Sequence, residues 1–288
     1  MALVLQIPTT ASASGLSTLR RDPLLDGDNS GVRFAFDLAF PWCYVGGAPA
    51  NSALVKDVAE IASGSVVLAS GQTISSAGNG FDFSAITAPL SYLAVPDNVA
   101  SDIYNQTSGN QYFLAATYVK LPSQADWNAT GSVAPFFTWG TGSGDYSSSA
   151  SLCMMAQQTG GVLSARRQTS VGAVAQLSIT VPTSDYGQVA QIAIWRNGTE
   201  YAMRLKTANN TTKSSTSVGS ANSADFSATV GKFGIGQGFA HNTISGSTTY
   251  QKWRLYRGWV ENLVRSGRDP ETVLNADWTR TASRAVFS

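Results

Sequence analysis

Short strand-like runs, with no long helical pattern beside them, constrain this chain more than any other feature. Residues 65–69, 112–120, 134–139, 150–155, 161–165, 175–181, 188–195, 199–205 and 232–235 are rich in apolar and β-branched side chains. Gly, Asn, Ser or Pro separates them. Side chains along a strand point alternately to opposite faces, so such runs build sheets that bury one face or both. Within 112–120, Phe113, Ala115, Thr117 and Val119 alternate with Tyr112, Leu114, Ala116 and Tyr118, and both sets are largely apolar. That pattern predicts a central strand covered on both sides. Asn197 and Gly198 sit between two strand runs and predict a two-residue type I′ hairpin, whose central residues need positive φ. Residues 206–230, rich in Thr, Asn and Ser, read as an exposed excursion. Many strands joined by turns predict an all-β fold, a sandwich of two antiparallel sheets.

The C-terminal stretch supplies the closing elements. Trp253 and Leu255 alternate with Arg254 and Tyr256, as in a strand. The spacing of Trp259 and Leu263 then predicts a change to helix. Gly267 suits a turn, Asp269 a cap, Pro270 a first helical position and Glu271 the positive helix end, which predicts a short C-terminal helix. Trp195, Trp253, Trp259 and Leu263 are assigned to the core.

Residues 1–37 read as an extended arm, and residues 38–288 as the sandwich. The arm carries apolar beads at Leu3, Leu5, Leu16, Leu19, Leu24 and Leu25, too few for a core of their own. A terminal segment of this kind either packs back on its own domain or docks onto another protein, and docking is the expectation. The apolar run at residues 2–7 has no Lys or Arg before it and stops at Pro8, unlike an export signal.

Only 13% of the residues are charged and the net charge is +1, so neither a nucleic-acid backbone nor an anionic membrane is an expected partner. No apolar run approaches the roughly 20 residues of a membrane span. Cys43 and Cys153 have apolar neighbours, which suits buried free thiols. Two cysteines and one histidine are too few for a zinc site, and no cofactor is expected.

Retaining glycoside hydrolysis needs two carboxyl groups about 5–5.5 Å apart. The chain has four glutamates, Glu60, Glu200, Glu261 and Glu271, and none falls in a paired run. Asp269 and Glu271 read as a helix start, and the lone His241 as a loop residue. No catalytic residue is assigned. Sugar binding would use an exposed ring beside amide and carboxylate groups. The rings nearest loops are Trp127, Trp139, Tyr146 and Tyr186, and they are the candidate carbohydrate-binding residues.

The order of the pieces resembles the concanavalin A-like (laminin G-like) jelly roll. The resemblance rests on Asp37 to Trp42, Val55 to Val58, Asn79 to Phe83, Tyr112 to Lys120, Ile194 to Gly198, Phe233 to Gly236, and Trp253 to Trp278. It spans roughly residues 38–280. The run from Tyr256 to Arg268 resembles versions carried by tailed-bacteriophage structural proteins. This resemblance implies a non-enzymatic virion protein, assembled in the bacterial host cytoplasm. It would be anchored to capsid or tail subunits by its arm, display a lectin-like sandwich as a decoration, and form a homo-oligomer. The alternative is a carbohydrate-binding adhesin that meets a host glycan. A secreted glycoside hydrolase is a third reading. Laminin G-like relatives often hold calcium at the sandwich rim, which points to Asp26, Asp28 and Asp145 as candidate metal ligands.

Overall fold

A computed structural model describes residues 22–25, 31–59, 61–104, 110–129, 133–141, 146–235, 252–281 and 287. In chain order the strands are β1 (Val32–Asp37), β2 (Leu54–Val55), β3 (Gly64–Val67), β4 (Ser75–Ala77), β5 (Gly80–Asp82), β6 (Ser91–Ala94), β7 (Phe113–Lys120) and β8 (Ala134–Thr141). They continue with β9 (Ser151–Gln158), β10 (Val162–Ser170), β11 (Ala173–Thr180), β12 (Val189–Arg196), β13 (Glu200–Lys206), β14 (Thr211–Ser217), β15 (Thr229–Ile235) and β16 (Arg254–Asn262). The helices are short: α1 (Asp97–Tyr104), α2 (Gln124–Ala129), α3 (Leu263–Ser266) and α4 (Pro270–Thr281). A 3-10 turn, Pro23–Leu25, precedes β1.

The strands form two 8-stranded sheets packed as a sandwich. The first runs β14-β13-β12-β7-β16-β5-β4, with β1 also on β16; the second runs β11-β10-β9-β8-β15-β6-β3-β2. Every pairing is antiparallel. β7 lies between β12 and β16, as its two apolar faces predict. Phe113, Ala115 and Val119 enter the core between the sheets, while Leu114, Ala116 and Tyr118 enter a second apolar layer on the opposite face.

Aromatic rings fill the space between the sheets. Trp253 stacks on Phe83 at 4.6 Å and meets Phe136 edge-on at 5.0 Å. Phe233 contacts Phe36 at 5.0 Å and Phe137 at 4.6 Å. Gly258 is required here, because a Cβ would stand 2.9 Å from the rings of both Phe36 and Phe233.

The second layer explains the C-terminal helix. Tyr118, Trp195, Tyr256 and Trp259 share that layer with Leu24, Leu25, Val273 and Leu274. Trp278 stacks on Tyr118 at 6.0 Å. Asp269 starts α4 as expected, its Oδ1 accepting from Thr272 N at 2.8 Å. A buried guanidinium pins the layer: Arg257 donates to Asp22 (2.8 Å), Asp37 (3.2 Å) and Asp277 (2.9 Å). Trp195, Trp253, Trp259 and Leu263 are all buried, but in different layers. Trp253 lies between the sheets, and the other three lie under α4 and the 3-10 turn.

Several expectations need correction. The arm does not end at residue 37. β1 pairs with β16 from Val32 to Asp37, and Phe34 and Phe36 belong to the inter-sheet core. Leu24 and Leu25 are 1% and 2% exposed and cover the first sheet's outer face, so they are core residues and not docking residues. Leu3, Leu5, Leu16 and Leu19 lie outside the described residues, as do Asp26, Asp28, Asp145 and His241. Trp259 is not helical. β16 runs through it to Asn262, and the shift in pattern comes from a bulge between Leu255 and Arg257 that puts Tyr256 and Arg257 on one side. The Asn197-Gly198 hairpin forms, but neither residue has positive φ. Asn197 instead takes the first corner, its Oδ1 accepting from Thr199 N and Glu200 N, both at 2.9 Å. β14 occupies part of the supposed excursion; as an exposed edge strand it needs no apolar face.

Candidate functional site

Among the side chains that the structure describes, Phe40 and Trp42 are the only exposed aromatics, at 48% and 42%. Their exposure follows from the turn after β1. Asp37 closes that strand, its Oδ1 accepting from Ala39 N at 3.1 Å and its carbonyl from Phe40 N at 3.0 Å. Cys43 N and Tyr44 N then donate to Phe40 O. Pro41 has no N–H to donate and restricts the backbone between the two rings. Cys43 and Tyr44 point inward, and Tyr44 meets Phe81 edge-on at 5.0 Å. Phe40 and Trp42 are thereby left outside, tilted against each other at 6.1 Å.

Trp42 overhangs a cleft of about 300 Å³, also lined by Lys56, Asp57, Ile61, Ala62 and Ser63. Two clamps hold the cleft walls. Cys43 Sγ donates to Lys56 O at 2.8 Å, and Lys56 N donates to Cys43 O at 2.9 Å. Burial pushes the Cys43 thiol up to about 12, so Cys43 stays a protonated donor at neutral pH. Asp57 is the second clamp. Its Oδ1 accepts from Ala35 N (2.8 Å) and Ala59 N (2.9 Å), and its Oδ2 from Ile61 N (2.9 Å) and Ala62 N (3.3 Å). Burial raises its pKa against these four amides. The carboxylate therefore fastens the floor to β1 rather than facing outward. The ammonium of Lys56 lies 5.3 Å from the Trp42 ring centroid.

The four expected carbohydrate-binding rings do not come together. Trp127, in α2, is fully buried. Its Nε1 donates to Gln158 O at 2.9 Å, and its ring meets Tyr186 edge-on at 5.6 Å. Trp139, in β8, is 1% exposed and packs edge-on against Phe137. Neither indole offers a face to a sugar, which corrects that assignment. A position near a loop in sequence does not decide whether a ring turns toward the core. Tyr186 is partly buried beneath Trp127. Tyr146, also partly buried, packs beside Met154 and Ala156 on the outer face of the second sheet. Sequence reasoning passed over Phe40 and Trp42 by treating residues 37–42 as a leading segment of the fold. The available signal was an aromatic pair flanking Pro41, since proline is excluded from strand interiors.

Among the described residues no three His, Cys, Asp or Glu side chains gather into a group able to hold a metal ion. No described helix is long and apolar enough to cross a membrane.

No protein-family model and no curated protein matches this sequence. Solved structures with a similar course include the binding domain of botulinum neurotoxin serotype C1. The identity there is 8% and the TM-score 0.48, over 75% of this chain and 48% of that one. The chain thus spans about half the length of that domain. A second is the CBM2 module of the evolved Dit of Lactobacillus casei BL23 phage J-1, with 14% identity and a TM-score of 0.43. It covers 81% of this chain and 96% of the module. A third is the CBM40 of Ruminococcus gnavus IT-sialidase bound to α2,3 sialyllactose, with 10% identity, a TM-score of 0.39, and coverage of 57% and 81%. Likenesses this distant assign no function.

Proposed function

We propose that this protein is a non-catalytic recognition module that binds carbohydrate through Trp42, the neighbouring Phe40 and the cleft that Trp42 lines. One observation carries the reading: the exposed ring of Trp42, with Phe40 tilted against it, lines a cleft on a hydrogen-bonded scaffold. Exposed aromatic faces beside polar groups suit the mixed apolar and hydroxyl surface of a sugar ring. Backbone ordered before binding lowers the entropic cost of capture. The carboxylate lining the cleft, Asp57, is engaged by four amides, which suits a structural role better than proton transfer.

The setting proposed for this module is the surface of a tailed-phage particle, where a host glycan would be its ligand and capsid or tail subunits its neighbours. Support for the setting is the sequence resemblance of the C-terminal piece. Mass spectrometry and labelling of purified particles test it.

The binding test is a glycan array read with the wild type and with Trp42→Ala. Trp42 is exposed, so the variant should keep the wild-type melting temperature and circular dichroism spectrum. Binding should fall at least tenfold, about 1.4 kcal/mol. A Trp42→Ala protein that binds the same glycans equally well refutes the assignment.

A further inference from the structure

Among the described residues lining the cleft, one side chain presents an accessible charge. Asp57, its acidic lining residue, is 2% exposed, and both its oxygens are occupied by backbone amides. Lys56 is exposed and makes no ion pair among the described residues. The accessible charge offered by the described lining residues is therefore positive.

That charge is tied to the aromatic platform. The backbone N–H and C=O of Lys56 are both bound by Cys43, the residue after Trp42. These bonds hold the stem of the lysine at a set place beside the indole. The ammonium lies 5.3 Å from the ring centroid. A cation at a ring face is attracted by the aromatic quadrupole, which biases the side chain toward the platform and away from bulk water. A sugar resting against Phe40 and Trp42 brings its ring substituents within reach of that ammonium. Ser63, exposed on the same cleft, adds a hydroxyl that can donate or accept.

We propose that the site selects acidic saccharides, with the carboxylate of a uronic or sialic acid unit paired to Lys56 while its ring packs on Trp42. The proposal rests on the glycan-binding reading given above. An ammonium is a point charge and not a bidentate fork. It therefore contributes charge preference and salt dependence, and leaves the rest of the saccharide to be read by the platform.

The test uses matched pairs: oligogalacturonides against their methyl esters, and sialylated glycans against their asialo counterparts. Affinities are measured by calorimetry at 20 mM and 200 mM NaCl for the wild type, Lys56→Gln and Trp42→Ala. The acidic member of one pair should bind the wild type at least tenfold more tightly at low salt. That advantage should shrink at high salt and fall to about twofold or less in Lys56→Gln, while Trp42→Ala loses both members. Equal binding of acidic and neutral members, lost in Trp42→Ala, would overturn the charge proposal and leave the platform reading standing. The same holds for an acidic preference that survives Lys56→Gln. Binding that ignores Trp42→Ala, or no binding of any glycan, would overturn both.

Discussion

Replacing Arg257 with methionine isolates the interaction that joins the two ends of the described chain. Arg257 is 1% exposed and reaches Asp22 before β1, Asp37 at its end, and Asp277 in α4. Methionine keeps much of the volume and removes the charge. Asp37 and Asp277 are then left buried, while Asp22 is 12% exposed and can recover some hydration. Asp277 keeps the Tyr118 hydroxyl at 2.8 Å and Arg280 at 3.6 Å. Removing one partner of a buried ion pair costs about 3–5 kcal/mol. With Asp37 and Asp277 losing the Arg257 charge and Asp22 partly relieved by water, about 4 kcal/mol is expected, a large share of a typical stability of roughly 5–15 kcal/mol. Urea unfolding followed by tryptophan fluorescence measures the loss at pH 7. Proteolysis at the segment before α4 should accelerate in parallel, because the helix loses its polar anchor. A loss below about 1 kcal/mol would refute the reasoning. Deleting residues 1–37 should be harsher and yield no soluble fold, because it removes β1 along with Asp22, Asp37, Leu24 and Leu25.

Two further outcomes follow from the packing. Trp253→Ala opens a cavity between Phe83 and Phe136 and should cost about 3–5 kcal/mol; soluble protein with an unchanged melting temperature would deny its place between the sheets. Lys232, in β15, is 2% exposed with its ammonium 5.7 Å from the Tyr92 ring, and burial lowers its pKa from 10.5 to about 8. Between those values the unfolded chain holds the proton and the folded one does not, so stability rises with pH through that window. Measured against Lys232→Met, the wild type should therefore recover between pH 8 and 10.5 by on the order of 3 kcal/mol, and parallel pH profiles would contradict the burial.

The strands were legible because their signal is local. Each run of alternating or apolar side chains between turn residues carries its own period, and the runs at 112–120, 188–195 and 199–205 became β7, β12 and β13 with shifts of one residue. The cap at Asp269 was legible for the same reason. A sandwich of antiparallel sheets follows from such a list, since strands with apolar faces must cover one another.

What tertiary structure alone decided is which surface each side chain meets. The outer face of the first sheet had to be covered, and Leu24, Leu25, Val273 and Leu274 cover it from the two ends of the described chain. No local pattern could join Asp22 and Asp277 to one guanidinium, because the link runs through space. Trp127 and Phe40 are both aromatics beside turns, yet one seals the core and the other stands in solvent. Local patterning was enough for the long buried strands such as β7, β12 and β13. The meeting of Trp42 with Lys56 came only from folding, because hydrogen bonds between Cys43 and Lys56 bring two separate turns to one cleft.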